Sequence, residues 1–356
     1  MRAGIIGLPQ SGKTTVFNAL TGAHGEVGGY HEEGTIEQAV LKVPDPRLDR
    51  LGELYEPDKL APASIEFEDI TGGFAHRGES SRQALDAMRE MDALLVVLRY
   101  FGNPSVPHPE GSIDPARDMR AIRETLIEDD LQMVRDRMEE IKREVRKSGK
   151  DREILENELE ALQRCEEPLS EGTGLDERGL SEWEQKRLEG YNFLTRKPMV
   201  YLQNIGEEHL GEEVELEGMV PEDATRLAMC GELELEIAEL DDEDKELFME
   251  DLGIDELASG KVVRACYRAL GLRSFFVVTD TKVTAWTVTS GQTALDAARL
   301  VHGDRADEFA RAEVIRFDDL DEIGSVRDAK SHGKVRQEGR DYEIQDGDVV
   351  TFRFNR

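Results

Sequence analysis

At 356 residues the chain has room for two or three domains and a sizeable core. Its formal charge of −32 excludes a protein coated in basic surface, so any RNA contact must use a local patch, and neither DNA nor membrane is expected as a partner. Hydrophobic residues at 38% against 34% charged fit folded domains with a solvated acidic surface rather than a disordered chain. The N-terminal run MRAGIIGLPQ is too short for a signal peptide, and no apolar stretch reaches the roughly 18 residues of a membrane span, so a cytoplasmic protein is expected. Cys165, Cys230 and Cys266 stand apart with no zinc-type spacing and read as reduced thiols.

Ala3–Ile6 is a compact apolar run ended by Gly7, and Lys13–Leu20 has helical spacing through Val16, Phe17 and Leu20. Further apolar runs at Ala39–Val43, Ile65–Ile70, Ala93–Leu98 and Met199–Leu202, with helical segments between, predict a mainly parallel sheet covered on both faces, an α/β class. Ile127, Leu131, Val134, Met138, Ile141 and Val145 form a heptad stripe on a charged helix. Ser148-Gly149-Lys150 offers a turn, and Leu155, Leu159 and Leu162 resume the stripe, which predicts an inserted antiparallel hairpin that ends at Pro168–Gly179. Glu207–Glu256 reads as an acidic outer layer with a helix near Asp241–Leu252. From Leu272 the pattern turns β-rich: strands at Ser274–Val278 and Val283–Val288, a helix at Thr293–Val301 and a terminal strand in GDVVTFRF, enough for a small independent α+β domain. The expected division is 1–113 with 195–271, an insert over 114–194, and a C-terminal module over 272–356.

The chemistry sits in Gly7 to Thr15, GLPQSGKTT, which satisfies G-x-x-x-x-G-K-[ST] between a strand and a helix. A backbone that curls around phosphate oxygens needs glycine where a Cβ would collide or φ must be positive. Gln10, Ser11, Gly12, Lys13, Thr14 and Thr15 are therefore expected to bind nucleotide, with Lys13 reaching the β- and γ-phosphates and Thr14 holding Mg²⁺. In Glu68-Asp69-Ile70-Thr71-Gly72, Asp69 would hold a water on Mg²⁺ and Gly72 would offer its N–H to the γ-phosphate. Lys13 and Gly72 are thus the catalytic candidates, and Thr14, Thr35 and Asp69 the metal candidates, Thr35 standing where a switch loop supplies a second ligand. Asn204-Ile205-Gly206-Glu207 follows the strand Met199–Leu202 where GTPases carry N-K-x-D, so it reads either as a base-pocket element without guanine selectivity or as a turn.

These motifs in this order resemble the YchF-type P-loop NTPases of the Obg-related group. The likeness covers essentially the whole chain and is carried by GLPQSGKTTVFNALTG, GTIEQAVLKVPDPRLDRL, EDITG, SIDPARDMRAI, RAEVIRFDDL and DYEIQDGDVVTFRFN. The last two resemble a TGS domain, a ubiquitin-like fold associated with RNA and ribosome contact. The resemblance implies a preference for ATP through Asn204 and Glu207, slow hydrolysis, a coiled-coil domain over roughly Asp114–Phe193, and a ribosome-linked role. It also implies that Cys230 and Gly231, with Met229, replace the Ser-Ala pair that lines the base pocket. Gln10 stands where the family has an Asn that helps hold K⁺ in related NTPases, which counts against potassium activation. Gly73 replaces a large aliphatic residue after Gly72, and His76 or Arg77 could orient charge, a solvated loop His being the plain alternative.

Three functions follow as expectations: a monomeric ATPase switch binding ATP and ADP, a GTPase of the same fold, or a nucleotide-stabilised adaptor for ribosome, rRNA or tRNA. The adaptor reading leans on the basic cluster Lys330, His332, Lys334, Arg336 and Arg340, for which an ion-paired surface is the commoner explanation.

Overall fold

The computed structural model describes residues 1–24, 37–70, 74, 79–146, 152–175, 181–212, 216, 220 and 224–355. In chain order its elements are β1 (Arg2–Ile6), α1 (Lys13–His24), β2 (Glu37–Lys42), α2 (Pro46–Tyr55), β3 (Lys59–Ala61), β4 (Ser64–Asp69), α3 (Glu79–Glu90) and β5 (Ala93–Tyr100). Then come α4 (Pro115–Val145), α5 (Arg152–Ser170), α6 (Glu182–Leu188), β6 (Met199–Ile205), β7 (Thr225–Met229), α7 (Gly231–Ala238), α8 (Asp242–Asp251) and α9 (Ala258–Ala269). The rest is β8 (Leu272–Val278), β9 (Lys282–Thr289), α10 (Ala294–Val301), β10 (Phe309–Arg316), α11 (Phe317–Ile323), α12 (Val326–Ser331), β11 (Arg336–Glu338) and β12 (Asp348–Phe354). The chain divides into two compact units, one mainly Met1–Ala19 and Phe67–Ser259, the other mainly Ala39–Glu66 and Gly260–Arg356.

The first sheet has the order β2-β4-β1-β5-β6-β7. β1 pairs in parallel with β5, β5 with β6 and β6 with β7, with Asn204 opposite both Arg99 and Met229. β5, ALLVVLRY, is buried at every position but its last, as a central parallel strand covered on both faces must be.

Asp114 caps α4 by accepting from the Arg117 N–H, and Pro115 opens it at the position proline tolerates best. Met119, Ile122 and Leu126 on its first turns pack into the sheet's core beside Ile6, Met88 and Leu94. Beyond them Ile127, Val134, Met138 and Ile141 pack with Ala161, Leu162, Cys165 and Leu169 of α5, with Leu131, Val145, Leu155 and Leu159 half-buried. The heptad stripe therefore pairs as expected, but one continuous helix serves two cores. The expected turn at 148–150 lies outside the described residues. Helix α5 does not stop at Pro168 as the sequence suggested; it runs to Ser170 with the proline in its last turn. There the ring removes one donor, Leu169 beside it is buried, and the Pro168 carbonyl accepts from Glu171 and Thr173 to close the end.

Buried Asp130 ties α4 to the segment before β6, accepting from the N–H groups of Leu194 (3.0 Å) and Thr195 (2.8 Å), and Arg89 lies 3.0 Å away. The acidic stretch 207–256 holds the expected helix as α8, and also β7 and α7, which sequence reading missed. Ile205, Leu233, Ile237 and Leu257 form their own small core there.

In the second unit the sheet order is β11-β10-β12-β8-β9-β3. β8 and β9 form the expected antiparallel hairpin, with Phe275 opposite Trp286, and α10 follows behind a capping box of Thr293 and Asp296. β12 runs antiparallel to β10 and parallel to β8, so hairpin, helix and returning strand enclose Phe275, Phe309, Val314 and Val350. Asp45 caps α2 and holds Arg47, whose guanidinium donates to Asp346 at 2.8 Å.

Candidate nucleotide site

The carboxyl ends of the parallel strands converge on one edge, which is where open α/β sheets place ligands. Gly7 follows β1, Asp69 ends β4, Arg99 stands near the end of β5, Asn204 near the end of β6 and Cys230 after β7.

The loop between β1 and α1 is fixed by donors that take up its carbonyls. Lys13 Nζ donates to the carbonyls of Gly7 (3.0 Å) and Leu8 (3.1 Å), and the Ser11 N–H reaches Leu8 at 3.2 Å. Asn204 Nδ2 donates to the Ser11 carbonyl at 3.1 Å, and Arg99 Nη1 to that of Gln10 at 3.3 Å. Glycine is required where the walls close in: a Cβ on Gly7 would lie 2.4 Å from the Val97 carbonyl oxygen. Gln10 has φ +63°, a left-handed backbone that glycine or asparagine adopts more readily. With these carbonyls occupied, the loop leaves amide N–H groups and the positive first turn of α1 for an anion, with the Lys13 ammonium held beside them on Gly7 and Leu8. That turn carries no acidic residue. Burial pulls the Lys13 ammonium below its ordinary pKa, against the opposing charge of Asp69.

Thr14 Oγ1 donates to Asp69 Oδ2 at 2.9 Å, so two of the three predicted metal residues meet. Asp69 is 2% exposed, and burial raises its carboxyl above the usual range, with Thr14 and Lys13 opposing. Neither Asp69 Oδ1 nor the buried Ser11 Oγ has a hydrogen-bond partner among the described residues. Buried polar atoms are normally satisfied, and a half-satisfied carboxylate beside a threonine hydroxyl is a donor set that fits Mg²⁺. No cluster of three or more His, Cys, Asp or Glu suited to a metal occurs among the described residues, so such an ion would draw its remaining ligands from elsewhere.

The comparisons with known proteins agree with this frame. Residues 2–139 match the family model described as "50S ribosome-binding GTPase", and residues 272–355 match the model of the YchF GTPase C-terminal region, described as a protein of unknown function. The chain is 39% identical over 363 residues to the "Ribosome-binding ATPase YchF" of Haemophilus ducreyi, covering 99% of each, and 35% identical over 367 residues to that of Bacillus subtilis, covering 100% of this chain and 99% of the other. The chain belongs to the YchF family. The solved structure of the Schizosaccharomyces pombe YchF GTPase superposes with a TM-score of 0.85 at 25% identity, covering 99% of this chain and 97% of the other.

In this YchF chain the residues expected to line the base pocket divide. Asn204, 4% exposed, spends its amide inside the protein: Nδ2 on Ser11 and Oδ1 on the N–H of Gly231 at 3.1 Å. Gly231 opens α7, Cys230 is buried just before it, and Thr15 packs toward them. Burial pushes the Cys230 thiol above its ordinary pKa. Ile205 faces the core beside Cys230, while Glu207 is exposed on the helical turn after β6. Thr35, Gly72, Gly73, His76 and Arg77 lie outside the described residues. Sequence reading missed Arg99; its signal was a lone charge in the apolar run ALLVVLRY.

The basic cluster of the second unit is largely spent on neighbours. Lys330 pairs with Glu313 and Lys334 with Asp319, both at 2.7 Å, Arg336 pairs with Glu338 at 3.2 Å, and Arg340 donates to the Phe309 carbonyl. No helix among the described residues is long and apolar enough to cross a membrane.

Proposed function

We propose that this chain is a slow, Mg²⁺-dependent nucleoside triphosphatase that takes ATP in preference to GTP and works with the ribosome. The observation that carries it is the phosphate loop, whose carbonyls are occupied by Lys13, Arg99 and Asn204 and whose remaining polar groups suit a polyphosphate. Thr14 and Asp69 would hold Mg²⁺, with Thr35 added on the strength of the sequence pattern. Bound there, the ion would neutralise charge between the β- and γ-phosphates. Lys13 would exchange its loop carbonyls for phosphate oxygens, and the Gly72 N–H would steady the γ-phosphate during in-line attack by water. Asn204 would position the loop, with Ile205, Glu207, Cys230 and Gly231 toward the base; the missing Lys and Asp of N-K-x-D favour adenine.

The ribosome association is supported by the relatives' printed name and not by the ion-paired cluster around Lys334. A three-part organisation with the C-terminal module from 272 is supported by the span of its family model. Calorimetric titration with ATP, GTP, ADP and GDP in the presence of Mg²⁺ tests the base assignment, with ATP and ADP expected to bind and the guanine nucleotides to bind weakly. Equal affinity for GTP would overturn it. Ribosome co-sedimentation that ignores the nucleotide would replace the switch by an adaptor.

A further inference from the structure

Arg99 is 2% exposed, yet it makes no ion pair among the described residues. Its guanidinium lies 4.5 Å over the Phe101 ring and donates to three backbone carbonyls: Phe101 at 3.2 Å, Val106 at 2.7 Å and Gln10 at 3.3 Å. Burial pulls the guanidinium below its ordinary pKa and the charge of Asp118, beyond ion-pair distance, only partly opposes this, so its position calls for a physical reason. Two of those bonds and the ring fix the guanidinium against the segment after β5. That segment is itself pinned by His108 Nε2, 2.9 Å from Asp118 Oδ2 on α4. The remaining arm reaches Gln10, the phosphate-loop residue held at φ +63°.

We propose that Arg99 is a positioning residue for nucleotide binding: from a fixed mount it holds the carbonyl of Gln10 and thereby the left-handed turn that shapes the phosphate loop. The inference rests on the nucleotide-binding reading above. A planar fork reaches three carbonyls in divergent directions where the single ammonium of a lysine does not. A left-handed non-glycine residue is strained, so one held carbonyl matters to whether the loop keeps that turn.

The test is a double-mutant cycle on the full chain, read as the affinity for Mg²⁺–ATP in calorimetry: wild type, Arg99→Met, Gln10→Gly and both together. Arg99→Met is expected to weaken binding about tenfold, the equivalent of about 1.4 kcal/mol. Glycine adopts the turn unaided, so in the Gln10→Gly background the same change is expected to cost no more than about threefold. Arg99→Lys keeps the charge and guards against loss of fold; it is expected to show the same rescue. An equal loss in both backgrounds, or none in either, overturns the proposal. Failure of the wild type to bind any nucleotide removes the nucleotide reading, and this inference with it.

Discussion

Gly12 and Asn204 meet so closely that a Cβ on Gly12 would lie 2.2 Å from Asn204 Nδ2. Gly12 also has φ +85°, so neither the space nor the backbone admits a side chain. Gly12→Ala must displace an amide that holds both Ser11 and Gly231. It is expected to weaken nucleotide binding by about 100-fold, since strain and a broken buried hydrogen bond each cost 1–3 kcal/mol. Titration with Mg²⁺–ATP measures this; retention of wild-type affinity would mean the loop tolerates another path.

Asp69 presents one oxygen to Thr14 and one with no partner among the described residues. Asp69→Asn keeps the shape and removes the charge. Nucleotide binding in EDTA is expected to persist, while the gain on adding Mg²⁺ disappears and turnover falls by about 100-fold or more. An unchanged Mg²⁺ response would place the ion elsewhere.

Asp130, with no exposure, accepts from two backbone N–H groups and the Thr195 hydroxyl beside Arg89. Asp130→Ala leaves those three donors without their acceptor, while Arg89 keeps Asp129 and the Asn192 carbonyl. The expected loss is about 2–3 kcal/mol in urea unfolding, from buried donors left unsatisfied, with nucleotide affinity unchanged. A loss near zero would show the cluster to be ornamental.

Hydrogen bonds from Arg353 and then Lys330 hold the Glu313 carboxyl down at about 2, against an unfolded value near 4.3. A depressed folded pKa contributes stability that is present above the unfolded value and is lost as pH falls through 4.3 toward 2. Both cations are about half exposed, so the contribution is of order 1 kcal/mol. Glu313→Gln is expected to flatten the stability profile over that window and to leave pH 7 to 9 parallel to wild type. An identical acid slope in the variant would assign the effect to other carboxylates.

The phosphate loop, the strand ending in Asp69, the heptad hairpin and the β-rich C-terminal part were legible because each is written in local spacing: glycines where backbone crowds, apolar residues at period 2 or 3.5. What sequence did not reveal depends on acceptors from distant segments. The function of Arg99 lies in the Gln10 carbonyl, 89 positions away, and a carbonyl leaves no trace in residue identity. The cations near Lys334 stood out in sequence, whereas Glu313 and Asp319, which neutralise them, come from β10 and α11. β7 and α7 escaped notice because TRLAM is short, charged and at a sheet edge. Pro168 marks the end of α5 to within two residues, Ser170 and the buried Leu169.

At 1.5 Å per residue, the 31 residues of α4 make a rod about 46 Å long. Its near third is embedded beside the sheet that carries the phosphate loop, and its far third packs mainly with α5, Arg137 also reaching Tyr191. The rod is fastened again at its midpoint, by Asp130 to the Leu194 and Thr195 amides. Its free arm is therefore the roughly 22 Å beyond, and a tilt of about 5° about that fastening would carry the tip about 2 Å.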